Sequence, residues 1–366
     1  MIKVGIVGLG KMGLSHYALM RAHPEVEAIA CDASKYVLGV LEKNTGVRGF
    51  GDYESMLAEA DLDAVVIATP SSAHAPMVRA AFEKGLHVFC EKPLTLSPED
   101  SDELAALARE RGLVTQVGYH NRFVGAFREV RALLDAGAIG EVTHVLGEAY
   151  GPVVLKPKGG TWRSKASEGG GCLYDYAAHV INLINWYCGE PTGVGGTVLP
   201  KVFSAETEDA AFGTLCFDGG RTGQLSVYWS DESYRKMTTR VTIWGTAGRI
   251  FADRQECQVY LRGTAPIPVG YEEGWNVRYT TELTEPVWFY LRGEEYSAQV
   301  ESFVAQVLAG EPDEHNGFAA AAVTDRTIGM MVADSTRGAS TGAGEARSQA
   351  AVPTKRSLFR RRTEAA

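Results

Sequence analysis

Three side chains in this sequence have types and spacing suited to moving a proton and stabilising a negative charge. Lys92 follows a short apolar run, His87–Cys90, and precedes Pro93, which disfavours helical geometry at the lysine and so fixes the direction of the chain. Asp175 and His179 are four residues apart at the start of a helical pattern, so they share one face. From these residues alone, Lys92 could be a surface lysine. The acid and histidine could be a structural pair, two metal ligands or a proton-handling pair.

A glycine-rich turn, Gly8–Gly13, follows the first predicted strand and opens a helix, the context expected for binding a dinucleotide pyrophosphate. In such a turn Gly8 permits a tight bend, Gly10 lets the backbone approach the pyrophosphate, and Gly13 lets helix and strand pack closely. The helix N-terminus adds free N–H groups and the positive end of the helix dipole. The predicted cofactor-binding residues of this segment are Gly8, Leu9, Gly10, Lys11, Met12 and Gly13.

An aspartate stands where the second predicted strand ends, about twenty residues after the glycine turn, as the dinucleotide fingerprint expects. The carboxylate of Asp32 can accept hydrogen bonds from both adenosine ribose hydroxyls and would repel a 2′-phosphate, so NAD is favoured over NADP. The alternative is an aspartate that caps a turn or a helix. Lys35 keeps NADP open, because a nearby cation can tolerate a phosphate.

The first third of the chain alternates short apolar runs with amphipathic stretches. Strands are predicted at Ile2–Val7, Glu27–Cys31, Ala64–Ala68, His87–Cys90 and Val114–Gly118, with helices from the glycine turn through Ala22 and at Ala75–Lys84 and Pro98–Arg111. This alternation predicts a doubly wound parallel sheet covered on both faces. Ligands bind beyond the carboxyl ends of such strands, so Lys92 is placed near the reacting end of a bound dinucleotide.

The pattern then changes to an α/β arrangement with a meander. Helices are predicted at Gly125–Ala136, Leu173–Cys188, Tyr296–Leu308 and Ala319–Ala333, and strands at Val142–Tyr150, Ala211–Phe217, Thr222–Trp229 and Thr239–Trp244. Successive strands between residues 194 and 263 predict a large, mostly antiparallel open sheet. Its apolar alternation suggests a face that needs a partner.

Composition restricts the classes of protein to consider. The 366 residues predict two domains, and the net charge of -9 argues against nucleic acid as the main partner. No run of about twenty apolar residues predicts a membrane span, and the N-terminus lacks the order of a signal peptide, so a cytoplasmic location is expected. Six cysteines without a Cys-x-x-Cys pair favour mostly buried thiols over a disulfide framework or a structural zinc site.

The C-terminal segment has a different composition from the rest. From Ser335 onward it is rich in Ser, Gly, Ala, Thr and Arg, which predicts disorder, and it ends with a basic cluster, Lys355, Arg356 and Arg360–Arg362. A solvated tail is the favoured interpretation, and a polyanion-binding segment is the alternative.

The whole pattern resembles the Gfo/Idh/MocA family, the group of glucose–fructose oxidoreductase and inositol dehydrogenase. The matching stretches run in family order over residues 2–335: Gly8–Gly13, Ala68–Pro70 with His74, Glu91–Pro93, Gly118–Phe123, Ala138–Val142, Thr161–Arg163 and Gly169–His179. Each motif alone is weak, but the combination is highly specific. The chain departs from the family at Ala177, where glycine is frequent, and at Asn182, where relatives often carry an aspartate.

The resemblance implies a Rossmann domain over residues 1–121, a substrate-binding and oligomerisation α/β domain over 122–335, and a basic tail over 336–366. It implies that Lys92 is the catalytic lysine and that Asp175 and His179 hold the substrate hydroxyl and move its proton. The predicted cofactor site then also includes Thr69, Pro70, His74, Glu91 and Lys92. A homodimer or homotetramer formed through the C-terminal sheet is expected, with no metal.

The predicted reaction is the reversible oxidation of a secondary alcohol on a sugar or cyclitol by hydride transfer to the nicotinamide of NAD. The pocket for the polyol would be formed by Tyr119, Asn121, Arg122, Trp162 and Arg163 together with the catalytic residues, although each is about equally explained as a packing or surface residue. An NADPH-dependent keto-sugar reductase is the runner-up. A non-catalytic dinucleotide sensor is a further alternative, which the intact Lys92, Asp175 and His179 disfavour.

Overall fold

The first sheet has the parallel topology expected from the sequence. The computed structural model describes residues 1–47, 49–153 and 162–341. The strands are β1 (Ile2–Val7), β2 (Val26–Cys31), β3 (Ala64–Ile67), β4 (His87–Cys90) and β5 (Thr115–Val117). They lie in the order β2-β1-β3-β4-β5, and every neighbouring pair is parallel. All residues of β3 are buried, because helices cover both faces.

Helices flank this sheet on both sides. They are α1 (Lys11–Ala22), α2 (Lys35–Thr45), α3 (Tyr53–Glu59), α4 (His74–Glu83) and α5 (Pro98–Glu110). Three of them begin at a residue whose side-chain oxygen accepts a backbone N–H of the first turn, namely Ser34, Asp52 and Ser97. The three helices predicted in this part of the chain, α1, α4 and α5, are confirmed with bounds that differ by about one residue.

The second sheet has eight strands and is mostly antiparallel, as predicted. The strands are β6 (Val142–Tyr150), β7 (Gly193–Val198), β8 (Ala210–Cys216), β9 (Thr222–Tyr228), β10 (Arg240–Gly245), β11 (Gly248–Ala252), β12 (Glu256–Leu261) and β13 (Gly274–Tyr279). Their order is β13-β12-β11-β10-β6-β9-β8-β7, and β6 with β9 is the one parallel pair of this sheet within the described ranges.

Helices α6 (Gly125–Asp135) and α7 (Ala178–Cys188) cover one face of the second sheet. Gly147 of β6 allows this close approach, since a Cβ there would lie 2.4 Å from Val180 of α7. The opposite face exposes apolar side chains on the last two strands. These are Tyr260, Trp275, Val277 and Tyr279.

The first turn of the predicted helix Leu173–Cys188 is not α-helical. Residues Leu173–Ala177 form a π-helical turn, in which the N–H of Ala178 donates to the carbonyl of Leu173, five residues earlier. The expectation of a single α-helix is therefore wrong at its start. Ala177, where the family resemblance leads one to expect glycine, lies buried within this turn.

Two C-terminal helices return to the first sheet after the short helix α8 (Thr280–Leu283). In α9 (Glu294–Ala309), Val300 and Phe303 share a buried cluster with Val4 and Ile6 of β1. The last helix, α10 (Phe318–Thr341), packs against α5, α7 and β7. The division of the sequence near residue 121 therefore does not separate the packing of the two halves.

Helix α10 also carries a buried carboxyl group that faces α5. Oδ2 of Asp325 accepts hydrogen bonds from the Ser101 hydroxyl at 2.7 Å and from the Thr95 N–H at 3.3 Å. Burial is the main cause that raises the pKa of Asp325 to about 7.

The C-terminal boundary differs from the prediction. Helix α10 continues through Thr341, so the expected onset of disorder at Ser335 is wrong for residues 336–341. Extending a formed helix costs little once a buried stretch has nucleated it, and Met331 provides such an anchor. The basic cluster Lys355–Arg362 lies outside the described residues.

Five of the six cysteines are buried and Cys216 is exposed, which confirms the expectation of mostly buried thiols. No helix in the described part of the chain is both long and apolar enough to cross a membrane.

Candidate active site

The glycine turn between β1 and α1 has the geometry that its glycines were predicted to serve. Gly8 has a φ of 86°, and a Cβ there would lie 2.8 Å from the carbonyl oxygen of Ala68. A Cβ on Gly13 would lie 1.7 Å from the carbonyl oxygen of Gly8, so α1 packs directly on the turn. A Cβ on Gly10 would meet no atom within 4 Å, which leaves open space where a pyrophosphate fits.

The other residues of the turn differ in exposure. The Leu9 side chain is buried in the core, Lys11 is exposed, and Met12 is half-buried against the first sheet. Leu9 therefore contributes to this site through its backbone, not its side chain.

Asp32 lies at the end of β2 and contacts the glycine turn directly. Its Oδ2 accepts a hydrogen bond from the Leu9 N–H at 2.5 Å, and its Oδ1 accepts one from the Ser34 N–H at 2.7 Å. Ser34, not Asp32, caps α2. The carboxylate is thus held beside the turn, where it can receive ribose hydroxyls on its remaining lone pairs.

His74 was predicted to line the cofactor, but its ring is buried between two loops. Its Nδ1 lies 2.9 Å from the carbonyl oxygen of Pro93, and its Nε2 lies 3.1 Å from that of Thr69. Burial lowers the pKa of His74, against the opposing effect of the carbonyl contacts. The ring therefore joins the loop after β3 to the loop after β4. Within the Thr69–Pro70 segment, Pro70 is exposed and the Thr69 hydroxyl contacts Met77 Sδ at 3.5 Å.

Glu91 links the cofactor helix to the lysine that follows it. Its Oε1 lies 2.7 Å from Nε2 of His16 on α1, and its Oε2 accepts the Lys92 N–H at 3.2 Å. Burial alone would raise the pKa of Glu91, but His16 and Lys92 outweigh it and hold that pKa below its usual value. Gly118 makes room, since a Cβ there would lie 2.6 Å from the carboxylate.

Lys92 and Asp175, separated by 83 residues in the sequence, form a buried ion pair. Nζ of Lys92 donates to Oδ1 of Asp175 at 2.7 Å and to its backbone carbonyl at 2.9 Å. Nε of Arg163 donates to Oδ2 of Asp175 at 2.9 Å. Burial would raise the pKa of Asp175, but the charges and hydrogen bonds of Lys92 and Arg163 outweigh it and lower that pKa. The carboxylate is therefore ionised at neutral pH.

His179 lies on the first turn of α7, after the π-helical turn that carries Asp175. Such a turn places an extra residue between its ends, and π-turns frequently occur at functional sites. Burial and then the charges of Lys92 and Arg254 hold the pKa of His179 well below its usual value. The ring is therefore neutral at neutral pH. Its Nδ1 is buried, with no hydrogen-bond partner among the described residues.

A second group of polar residues, which the sequence reasoning missed, packs against His179. The His120 ring lies 4.8 Å from that of His179 and 4.7 Å from that of Tyr296. Nη1 of Arg254 lies 3.2 Å from Nε2 of His120, and Arg254 also pairs with Glu295. Burial, followed by the neighbouring positive charges, holds the pKa of His120 well below its usual value. His120 lay inside the quoted Gly118–Phe123 motif, but no local signal identified Arg254 or Glu295.

The structure brings together only some of the predicted polyol-pocket residues. Tyr119 places its ring edge-on to His179 at 5.9 Å, and Arg163 reaches Asp175. Both amide atoms of Asn121 are buried without a partner in the described ranges. The backbone of Trp162 begins a 3₁₀ turn. Substrate contact by these residues stays a prediction.

Arg122 does not face this cluster, in contrast to the expectation that it lines the polyol pocket. Its guanidinium is buried and donates to Oδ1 of Asn182 at 2.7 Å and to the backbone carbonyl of His315. Oδ1 of Asn182 is thus directed at Arg122, and its Nδ2 donates to Thr324 at 3.0 Å.

The cluster combines a fixed ammonium group, an ionised carboxylate and a neutral imidazole beyond the carboxyl end of β4. It can therefore stabilise a developing alkoxide and accept a proton. Among the described residues, no group of three or more His, Cys, Asp or Glu side chains is arranged to hold a metal ion.

Comparison with known proteins identifies two matching family models. Residues 2–119 match the model described as an oxidoreductase family with an NAD-binding Rossmann fold, and residues 127–251 match a GFO/IDH/MocA C-terminal domain.

The chain is also similar to individual proteins. One is myo-inositol 2-dehydrogenase of Thermotoga maritima, with 24% identity over 330 residues, which cover 86% of this chain and 91% of the relative. It is 33% identical over 202 residues to a dTDP-3,4-didehydro-2,6-dideoxy-alpha-D-glucose 3-reductase of Streptomyces violaceoruber, covering 54% of this chain and 58% of the relative. The crystal structure of GenD2 from gentamicin A biosynthesis in complex with NAD is 27% identical, with a TM-score of 0.74 over 92% of this chain and 95% of the other.

Proposed function

The chain belongs to the Gfo/Idh/MocA family of NAD-binding oxidoreductases, and from this we propose that it reversibly oxidises a secondary hydroxyl of a sugar, sugar derivative or cyclitol. The observation that carries the proposal is the Lys92–Asp175 ion pair beside the neutral ring of His179. Bound NAD would supply the hydride acceptor. The open space at Gly10 and the carboxylate of Asp32 fit its pyrophosphate and adenosine ribose.

Lys92 is suited to hold the oxygen of the reacting hydroxyl. Its ammonium has three N–H donors, and two of them are bonded to Asp175. The third can donate to the substrate oxygen and stabilise the alkoxide as the proton leaves. Asp175 fixes the direction of this third donor, because its carboxylate is itself held from the other side by Arg163.

His179 is suited to accept the hydroxyl proton. A general base must be unprotonated at the working pH, and burial together with Lys92 and Arg254 keeps this imidazole neutral. Asp175 does not orient the ring directly, since no hydrogen bond joins its carboxylate to His179 among the described residues; it is held by Lys92 and Arg163. Tyr119 and His120 hold the ring by packing.

A keto-sugar reductase that uses NADPH remains the second candidate, because the 33% identical relative bears the name of a keto-sugar reductase. The same three side chains serve the reverse reaction, with the proton moving from His179 to the carbonyl oxygen. Asp32 weighs against NADPH, since its carboxylate lies beside the glycine turn.

A panel of polyols, cyclitols and sugars, tested for NAD reduction and for the reverse oxidation of NADH, tests the proposal. We expect saturable turnover with at least one compound, and Lys92→Ala should abolish it while NADH binding stays nearly unchanged. If that variant keeps more than about a tenth of wild-type turnover, Lys92 does not have the proposed role. Charge stabilisation and proton transfer each raise the rate of such reactions about a hundredfold. Lys84→Ala, a change of an exposed lysine, is the matched control.

We also propose that the chain forms a homodimer or homotetramer through the open face of the second sheet. Trp275, Tyr279 and Tyr260 are exposed there on neighbouring strands, and such apolar patches mark interaction surfaces. Light scattering after size-exclusion chromatography should give a mass above 39.5 kDa for the wild type and near it for Trp275→Arg. A monomeric wild type would contradict this proposal.

A further inference from the structure

Arg122 is a buried cation whose partners are all neutral. It lies in the 3₁₀ turn His120–Phe123, and its guanidinium bonds to the Asn182 side chain, to the Asn182 carbonyl at 3.4 Å and to the His315 carbonyl. The group also lies 5.4 Å from the ring centre of Trp186. Among the described residues, no carboxylate lies within ion-pair distance of it.

A buried guanidinium without a counter-ion is costly, because neutral acceptors replace only part of its hydration. Burial lowers the pKa of Arg122 to about 10, so the group still carries its charge at neutral pH. Asn182 supplies an amide oxygen at 2.7 Å, which carries no negative charge. Two of the five guanidinium N–H groups remain without a partner in the described ranges.

A cavity of about 320 Å³ adjoins this guanidinium. It is lined by Arg122, Asn185, Trp186, Glu190 and His315, and it opens to solvent at the exposed Glu190. None of its lining residues is Lys92, Asp175 or His179.

The polar groups of the cavity include an acceptor as well as donors. Oδ1 of Asn185 is buried and has no hydrogen-bond partner among the described residues, whereas its Nδ2 donates to Thr327 at 3.1 Å. That bond fixes the orientation of the amide, since the Thr327 hydroxyl already donates to a backbone carbonyl. Arg122 and Asn185 both line the cavity, so an occupant can be offered N–H donors and this unpartnered side-chain acceptor.

The local charge favours an anion. Both carboxylate oxygens of Glu190 are held by Arg326 at 2.6 Å, which offsets the negative charge on the cavity wall. Burial and then the charges of Arg122, Arg128 and Arg131 lower the pKa of His315, although Asp313 opposes them. The imidazole is thus neutral and the positive charge of Arg122 is unbalanced.

We propose that this cavity is a binding site for a small oxyanion that carries a hydroxyl group, such as a 2-hydroxycarboxylate or hydrogen phosphate. Arg122 donates to the oxyanion, and the side-chain oxygen of Asn185, Oδ1, accepts from the hydroxyl group. The site is separate from the Lys92 cluster and does not depend on the proposed reaction.

Calorimetric titration of the NADH-saturated protein with lactate, propionate and inorganic phosphate tests the site. NADH occupies the glycine turn, so phosphate cannot bind there, and lactate cannot be oxidised without NAD. We expect saturable binding of lactate, about two- to twelvefold tighter than propionate, since one hydrogen bond is worth roughly 0.5–1.5 kcal/mol. The ratio of lactate to phosphate affinity identifies the class of oxyanion.

Asn182→Asp gives Arg122 a carboxylate of its own and should weaken binding at least tenfold without harming the fold. Asn44→Asp, the same charge change on an exposed helix face, should leave binding unchanged. The site is disproved if no probe binds saturably, or if Asn182→Asp binds as tightly as the wild type. Equal affinities for lactate and propionate would disprove the role of Asn185.

Discussion

Replacing Asp32 by asparagine should shift the preference of the protein from NADH towards NADPH. The change keeps the size of the side chain but removes the negative charge beside the glycine turn. The carboxylate now accepts the N–H groups of Leu9 and Ser34 and has lone pairs left for two ribose hydroxyls. Any disturbance of the two backbone contacts affects both cofactors equally, so the ratio of their affinities isolates the effect of the charge.

The size of the shift can be worked out from the contacts. A hydrogen bond to a charged group contributes about 1.5–3 kcal/mol and a neutral one about 0.5–1.5 kcal/mol, so NADH loses roughly 2 kcal/mol over two hydroxyls. In the wild type, the Asp32 carboxylate repels a 2′-phosphate of charge near −2 by about 1.7 kcal/mol, for a separation of about 5 Å in a water-like medium. Asp32→Asn removes this repulsion, so NADPH binding gains that amount. The ratio of the two dissociation constants should therefore change by a few hundredfold, at about 1.4 kcal/mol for each factor of ten.

Fluorescence titration of the wild type and Asp32→Asn with each reduced cofactor, at one fixed ionic strength, measures this ratio without knowledge of the substrate. Lys35→Gln in the Asp32→Asn background should weaken NADPH and leave NADH unchanged, because Lys35 is exposed next to the same strand end. A ratio that moves by less than tenfold would show that Asp32 does not face the adenosine ribose.

Three further changes test other parts of the structure. Gly13→Ala should weaken NADH binding roughly tenfold or more in fluorescence titration, because its Cβ would lie 1.7 Å from the Gly8 carbonyl oxygen. Arg254→Gln should move the acid limb of the kcat/KM profile to higher pH, because the Arg254 charge helps to lower the pKa of His179. The raised pKa of Asp325, about 7, gives a contribution to the free energy of unfolding that falls as pH rises from about 4 to about 7, since the native state then binds the extra proton. Asp325→Asn should remove this contribution, so the difference in unfolding free energy between wild type and variant, measured by denaturant titration, should change across that pH range.

Each of these changes has an outcome that contradicts its premise. Unchanged NADH affinity in Gly13→Ala would mean that the turn can move away from α1. An unmoved acid limb in Arg254→Gln would mean that a group other than His179 is the base. A difference in unfolding free energy between wild type and Asp325→Asn that stays constant from about pH 4 to about pH 7 would mean that Asp325 does not hold a proton in the native state.

The sequence predicted the parallel sheet and the glycine turn closely, because both depend on local patterns. Apolar runs of four to six residues mark β1 and β4, and the strained φ of Gly8 admits few other residues. The approach of Lys92 to Asp175 could also be predicted from the sequence. The carboxyl end of a parallel strand locates Lys92, and the family motif locates Asp175.

The sequence could not reveal contacts between distant segments that carry no motif. His16 reaches Glu91 across 75 residues, and Arg254 reaches His120 across 134. Arg122 fell within a family motif, yet its direction depends on α7 and on the segment around His315. The π-helical turn was hidden because nothing in the residue types of Leu173–Ala177 distinguishes it from the first turn of an α-helix.

The return of α9 to the first sheet governs the order in which the protein can fold. Val300 and Phe303 fill the same cluster as Val4 and Ile6, about three hundred residues earlier in the chain. During synthesis, the nucleotide-binding half therefore emerges with one face of its sheet covered only in part, by α1, and the rest of that face stays open until α9 has left the ribosome. Contacts so distant in sequence slow folding, because the entropy of closing a long loop must be lost first. A fragment that ends at residue 121 should expose the apolar surface that α9 covers and aggregate, whereas a chain that includes α9 should not.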